Sequence, residues 1–217
     1  MYKKIKRGMD FVMALMGLII LSPVFLILII AIKLDSRGPV LFKQKRMGIH
    51  KTHFHILKFR TMRIDTPKDV PTHLLKNPEQ YITKVGRFLR RTSLDELPQI
   101  VNILKGDMAV VGPRPALWNQ YDLIAERDKY GANDVRPGLT GWAQINGRDE
   151  LEIPVKAKLD GDYTDALLHG KGFSMDCRCF FGTFLSVLRE EGVLEGGTGT
   201  IHAAEKGSEG SGKGTES

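Results

Sequence analysis

Two adjacent carboxylates, Asp95 and Glu96, are the residues of this 217-residue chain whose types and spacing best suit chemistry. Ser93 to Glu96 has the spacing of a capping box, a serine followed three residues later by a glutamate. That puts both acids in the first turn of a predicted helix carrying Ile100, Val101, Ile103 and Leu104 and stopped by Gly106, with Pro98 making the first turn irregular. Unpaired backbone N–H groups and the helix dipole favour negative charge at such a turn. A carboxylate kept ionised there can act as a nucleophile on phosphorus. Ordinary capping selects the same residues, so the pair alone leaves both readings open.

Cations lie close by in sequence. Arg90 and Arg91 precede the pair, and Arg114 is held between Pro113 and Pro115 in a segment with few conformations open to it. Rigid arginines suit bidentate recognition of phosphate. Asp95, Glu96 and Asp160 offer hard oxygen ligands, and with phosphate nearby such ligands point to Mg²⁺. The chain has no P-loop, no G-x-G-x-x-G after a strand and no zinc-ligand spacing. His50, His53 and His55 have no second ligand cluster and read as surface or core histidines. Cys177 and Cys179 read as small packed thiols of a reducing compartment, since two cysteines make neither a disulfide framework nor a metal site.

The elements that must position these groups begin with a membrane segment. Hydrophobic residues make up 42% and charged residues 26%, which excludes a disordered chain. The net charge of +7 is uneven: residues 1–64 hold 13 Lys and Arg against two acids, while the other 153 hold 19 against 23. Positive charge confined around one apolar segment points to a membrane surface rather than to nucleic acid. Phe11 to Ile32 is a 22-residue run whose only polar member is Ser22. As one straight helix it would be about 33 Å long, enough to span a hydrocarbon core of about 30 Å. Yet both flanks are basic, with Lys3, Lys4, Lys6 and Arg7 before it and Lys33, Arg37, Lys43, Lys45 and Arg46 after it. Ser22-Pro23 sits near its centre, where proline must kink or break the helix and Ser22 can bond back to the carbonyl of Leu18. A re-entrant hairpin with both ends cytoplasmic fits these features; a kinked single-pass helix is the alternative. One apolar segment excludes a polytopic protein.

Beyond it, Gly38 to Phe42 reads as a turn into a strand, and His53 to Phe59 as a strand. Asp65 to Pro78 is a proline-rich loop. Tyr81 to Arg91 is a basic amphipathic helix, either lying among lipid headgroups or packed on the core with its charged face solvated. A strand is predicted over Ala109–Val111, helices over Leu117–Lys129, Val155–Leu168 and Asp176–Glu190, and a turn and strand over Arg136–Arg148. The fold class is α+β, mostly α: a kinked re-entrant membrane helix with basic flanks (1–37), one cytosolic catalytic domain of interfacial helices and a few short strands (38–194), and a Gly/Ser-rich tail (195–217) read as flexible.

Taken in order, several motifs resemble the bacterial sugar transferases, small monotopic phosphoglycosyl transferases, over residues 1–190. They are Lys6-Arg7 with Asp10, the Ser22-Pro23 break, Gly38-Pro39-Val40-Leu41-Phe42, Lys58-Phe59-Arg60-Thr61-Met62 and Arg91 to Gln99. Gly106-Asp107-Met108, Val111-Gly112-Pro113-Arg114-Pro115, Arg136-Pro137-Gly138 and Thr140-Gly141 continue the series; Ala109 stands where the family often has serine. The resemblance implies transfer of a phospho-sugar from a UDP-sugar to polyprenol phosphate at the cytoplasmic face of the bacterial inner membrane, with UMP released. It implies Asp95 as the nucleophile of a covalent phospho-sugar intermediate, Glu96 as its partner, and Mg²⁺ bridging this dyad and the diphosphate. Lys58, Arg90, Arg114 and Asp160 are implied as phosphate and substrate contacts, with Arg136 and Arg148 as further contacts. The implied partners are the UDP-sugar, the polyprenol phosphate and an anionic phospholipid membrane, with no nucleic acid; a homodimer at the membrane surface is compatible with all of this. UDP-linked N-acetylated or deoxyamino sugars, N,N′-diacetylbacillosamine among them, are the family-level expectation for the donor. A membrane-anchored scaffold of the same fold without activity is the competing reading.

Overall fold

The computed structural model describes residues 2–66, 78–147 and 150–188. Arg148, most of the loop 65–78 and the tail 195–217 lie outside the described residues. The architecture is α+β and mostly helical. Helix α1 (Tyr2–Asp35) is followed by strands β1 (Leu41–Met47) and β2 (His53–Phe59) and helices α2 (Lys84–Arg91) and α3 (Gln99–Lys105). Strand β3 (Ala109–Val111), helix α4 (Tyr121–Asp128), strand β4 (Gly138–Thr140) and helices α5 (Trp142–Ile145), α6 (Ile153–Leu168) and α7 (Gly172–Leu188) complete it.

Helix α1 continues through Pro23 as one 34-residue span instead of ending there. Proline offers no N–H to the carbonyl of Ile19, and the Ser22 hydroxyl donates to that same carbonyl at 2.7 Å. The bond therefore goes to Ile19 and not to Leu18, and it satisfies the group that the proline leaves unpaired. The middle of α1 turns apolar side chains outward: Ile19, Ile20, Leu26 and Ile27 are each at least 60% exposed. The opposite stripe is core. Ala14 packs with Ile56, Ile100, Ile103 and Met108, and Leu28 and Ile32 pack with Phe59 and Leu89.

Both ends of α1 are tied to the same globular body. Near its start, Arg7 donates to the carbonyls of Ile103 (2.6 Å) and Leu104 (2.9 Å), at the end of α3, where cations are favoured. Lys6 pairs with Asp176 of α7 at 2.9 Å. At the far end Asp35 accepts the Val85 N–H of α2, and Arg60 donates to the carbonyls of Arg37 and Ser36.

β1 and β2 form an antiparallel hairpin, register Leu41↔Phe59 to Met47↔His53. β3 and β4 pair in parallel. The strand expected near Arg136–Arg148 is only Gly138–Thr140; Trp142–Ile145 is a short helix instead. Helix α2 starts at Lys84 rather than Tyr81; Leu89 is buried as the amphipathic pattern requires, whereas Phe88 is about half exposed.

The capping box is not formed. Ser93 is left-handed (φ 55°, ψ 15°) and its side chain caps nothing. Asp95 and Glu96 lie in a 3-10 turn, Leu94–Glu96, ahead of α3 rather than in its first turn. Pro98 explains the difference: without an N–H it cannot enter an i→i−4 ladder, so the turn closes through i→i−3 bonds such as Glu96 N–H to the Ser93 carbonyl. Gly106 ends α3 as expected, in the left-handed conformation (φ 92°) that favours glycine.

Candidate active site

The 3-10 turn sets Asp95 and Glu96 at a junction of three chain segments. Strand β2 brings Lys58, the segment after β3 brings Arg114, and α2 brings Arg90. Glu96 is the anchor of the group. Its Oε1 accepts from Lys58 Nζ at 2.8 Å and Arg114 Nη2 at 2.7 Å, and its Oε2 accepts from Arg114 Nη1 at 3.4 Å. The Arg114 contact is the two-pronged guanidinium–carboxylate geometry. Burial pushes the Glu96 carboxyl up, but Arg114 and Lys58 outweigh it and hold the group well below the usual carboxylate range.

Asp95 is treated differently. It is buried, only 9% exposed, and its ion pair with Lys58 is a loose one at 3.7 Å. Burial pushes its carboxyl up, Lys58 pulls it down, the neighbouring Glu96 charge pushes it up again, and Arg90 and Arg114 oppose. The net direction is upward. One carboxylate of the dyad is thus pinned and fully ionised, and its neighbour is more basic and only lightly held.

Arg90 is aimed by Thr61, whose hydroxyl accepts from Arg90 Nε at 2.9 Å. The approach of α2 to that segment requires glycine at position 86, because a Cβ there would overlap the Thr61 backbone. Thr83 caps α2 by accepting the Gly86 N–H at 2.9 Å, and its own N–H donates to the Thr61 carbonyl at 3.0 Å. The site thus joins a buried Asp95, a half-buried Glu96 and the cations Lys58, Arg90 and Arg114 in a body to which an apolar helix is attached.

The family model of the bacterial sugar transferases matches residues 1–190. The chain belongs to the bacterial sugar transferase family. This sugar transferase is 39% identical over 191 residues to the uncharacterized sugar transferase EpsL of Bacillus subtilis, covering 88% of the chain and 91% of EpsL. It is 40% identical over 196 residues to the exopolysaccharide production protein PSS of Rhizobium leguminosarum, covering 85% and 95%. It is 46% identical over 146 residues to the UDP-glucose:undecaprenyl-phosphate glucose-1-phosphate transferase of Escherichia coli, covering 66% of the chain and 31% of that protein. It therefore spans nearly all of the two short relatives and about a third of the longer one.

The remaining expected site residues of the sugar transferase are placed elsewhere. Asp160 is fully buried on α6 and takes both Nε (2.8 Å) and Nη2 (2.6 Å) of Arg127 on its Oδ2. Burial pushes its carboxyl up and Arg127 opposes. Arg136 is exposed and donates to the Gly106 carbonyl at 3.0 Å, at the end of α3 remote from the dyad. Both cysteines are free thiols. Sequence reasoning overlooked Arg127, and it gave Thr61 no role beyond its place in the Lys58–Met62 motif; each acts through a partner 33 or 29 residues away.

Proposed function

We propose that this sugar transferase moves a phospho-sugar from a UDP-sugar to a polyprenol phosphate, releasing UMP, with Asp95 as the covalent carrier. The observation that carries the reading is the asymmetry of the dyad: Glu96 is held on both oxygens by Lys58 and Arg114 at 2.7–3.4 Å, whereas the more basic Asp95 lies 3.7 Å from Lys58. In the first step an Asp95 carboxylate oxygen bonds to the phosphorus that bears the sugar. The bond from that phosphorus to the bridging oxygen breaks, and UMP leaves with the electron pair. In the second step a phosphate oxygen of the lipid bonds to the same phosphorus and the Asp95 O–P bond breaks, giving the polyprenyl-diphosphate-sugar and the free carboxylate. Splitting the transfer lets a soluble donor and a membrane acceptor use one nucleophile in turn. Lys58, Arg90 and Arg114 surround the place where charge develops on the leaving phosphate. UDP-glucose is the donor class favoured by the names of the longer relatives.

The donor set fits Mg²⁺. Asp95 and Glu96 supply hard oxygens, and Mg²⁺ is ordinarily held by one or two carboxylates together with substrate phosphates. No group of three metal-ligating side chains gathers among the described residues, so diphosphate and water would complete its shell. Bound there, the ion would spread the charge of the diphosphate.

In the same proposal the protein is monotopic, with its catalytic body on the cytoplasmic face of the inner membrane and α1 re-entrant. Helix α1 is long and apolar enough to cross a bilayer. A crossing would put its ends on opposite sides, yet Lys6 and Arg7 at one end and Asp35 at the other bind the same body. That contact pattern supports both ends lying on one side.

UMP release by detergent-solubilised protein tests the reading, with Mg²⁺, undecaprenyl phosphate and a panel of UDP-sugars, UDP-glucose first. Release that disappears in Asp95→Asn is the expected result. Folded protein silent across the panel, or an undiminished Asp95→Asn variant, overturns it.

A further inference from the structure

Behind Arg114 lies a buried ion pair that the proposed reaction does not use directly. Arg127 of α4 is 4% exposed and Asp160 of α6 is 0%. Arg127 gives both Nε and Nη2 to the same oxygen, Asp160 Oδ2, at 2.8 and 2.6 Å. The other carboxylate oxygen, Oδ1, is buried with no hydrogen-bond partner among the described residues. A pair built only to hold two helices together would use both oxygens, and an apolar pair of similar volume would hold them as well. The guanidinium instead sits so that Nη2 also donates out of the pair, to the main-chain carbonyl of Arg114 at 3.0 Å.

That carbonyl occupies a constrained stretch. Pro113 fixes the backbone before Arg114, and Pro115 limits Arg114 itself to extended conformations. On the far side of the ion pair, the Arg46 guanidinium donates to the Pro115 carbonyl at 2.9 Å. The Arg114 backbone is therefore gripped from α4 and from β1, and its side chain projects from that fixed point to Glu96.

We infer that Arg127, locked by Asp160, is a positioning residue for Arg114 and through it for the Glu96 carboxylate. This inference rests on the proposed function for its catalytic consequence. It also gives Asp160 a part in the site that differs from substrate contact: the carboxylate orients an arginine that never meets substrate. An arginine is required because only its planar fork reaches Asp160 Oδ2 and the Arg114 carbonyl together. Lysine at this position keeps the positive charge for Asp160 but is a single-headed donor.

Two measurements on the full chain test it, one independent of activity. In hydrogen exchange, Arg127→Lys is expected to speed exchange in peptides covering residues 109–117 while those of α6 keep wild-type rates. Exchange that rises throughout α4 and α6, or does not change at 109–117, overturns the inference even if the wild type proves inactive on UDP-glucose. In UMP release from UDP-glucose with undecaprenyl phosphate, Arg127→Lys is expected to lower kcat by about 100-fold, the scale of a displacement of about 1 Å in a catalytic group. The same substitution made in an Arg114→Lys background is expected to cost less than about twofold more. Equal losses in both backgrounds overturn the inference and leave the proposed function standing. An Arg127→Met, Asp160→Leu double variant, apolar and similar in volume, guards against misfolding; it is expected to keep the wild-type melting temperature and lose activity as Arg127→Lys does. Full activity in that folded variant overturns the inference.

Discussion

Replacing Glu96 by glutamine keeps the shape of the dyad and removes one charge. In the wild type Glu96 accepts from Lys58 at 2.8 Å, with both side chains about a fifth exposed, and from Arg114 at 2.7 and 3.4 Å, with the Arg114 side chain 39% exposed. A hydrogen bond to a charged group contributes about 1.5–3 kcal/mol. The Lys58 contact takes the middle of that range; the Arg114 contact is discounted for solvent screening to about 1 kcal/mol. Glutamine still accepts one bond, so the expected loss is about 2 kcal/mol, or about 4–8 °C in melting temperature for a chain of this size. The Glu96 carboxyl is depressed in the folded protein, so its contribution is complete above the ordinary glutamate range and disappears as pH falls toward its own lower value. The stability gap between wild type and Glu96→Gln should therefore be present at pH 7 and shrink below about pH 4. Chemistry changes in a second way. The Glu96 charge is one of the contributions raising Asp95, so its removal lowers Asp95 and lets Lys58 close from 3.7 Å onto it. Activity, which needs ionised Asp95, should then keep its acid limb to lower pH than the wild type, at a reduced plateau. Scanning calorimetry at about pH 3 and pH 7 with a pH profile of UMP release checks both. A variant as stable as wild type at pH 7, or an acid limb displaced upward, refutes the assignment of Glu96 as the pinned partner.

Three further outcomes are expected. Gly86→Ala forces a Cβ into the Thr61 backbone, so thermal unfolding should show a loss of about 1–3 kcal/mol together with weaker UMP release as Arg90 leaves Thr61; a neutral variant would contradict that close approach. Burial, with the Asp176 charge adding and Lys6 opposing, pushes the Cys179 thiol up to about 12. Its reaction with a thiol reagent at pH 8 should be about a thousandfold slower than that of an ordinary thiol, so one rapid equivalent, at the half-buried Cys177, is expected and a rapid second equivalent in native protein would be the contrary result. Single cysteines at positions 3 and 37 should both resist an impermeant maleimide added to intact cells and react once the cells are opened; labelling of position 3 from outside would mean that α1 crosses.

Much of this protein is local in origin and therefore readable along the chain. The apolar run of α1, the strand over His53–Phe59, the short strand Ala109–Val111 and the stop at Gly106 each depend on neighbours within a few residues. Periodicity, turn residues and helix stops report such things directly. The acid pair at 95 and 96 and the rigid Arg114 were legible as chemical types, and Lys58 through the ordered motifs around it. Tertiary structure decided their roles. Whether Asp95 or Glu96 is the pinned carboxylate depends on Lys58, 38 residues before Glu96, and Arg114, 18 after it. The left-handed Ser93 replaced a helix start with a 3-10 turn, and so charge pairing with Arg114 and Lys58 rather than a helix dipole holds Glu96 ionised. Asp160 carries the same carboxylate as Asp95 but lies behind Arg114, locked to Arg127. Residue type tells which charges a chain can offer; burial and long-range pairing decide which of them can meet a substrate, and those arise only when distant segments pack.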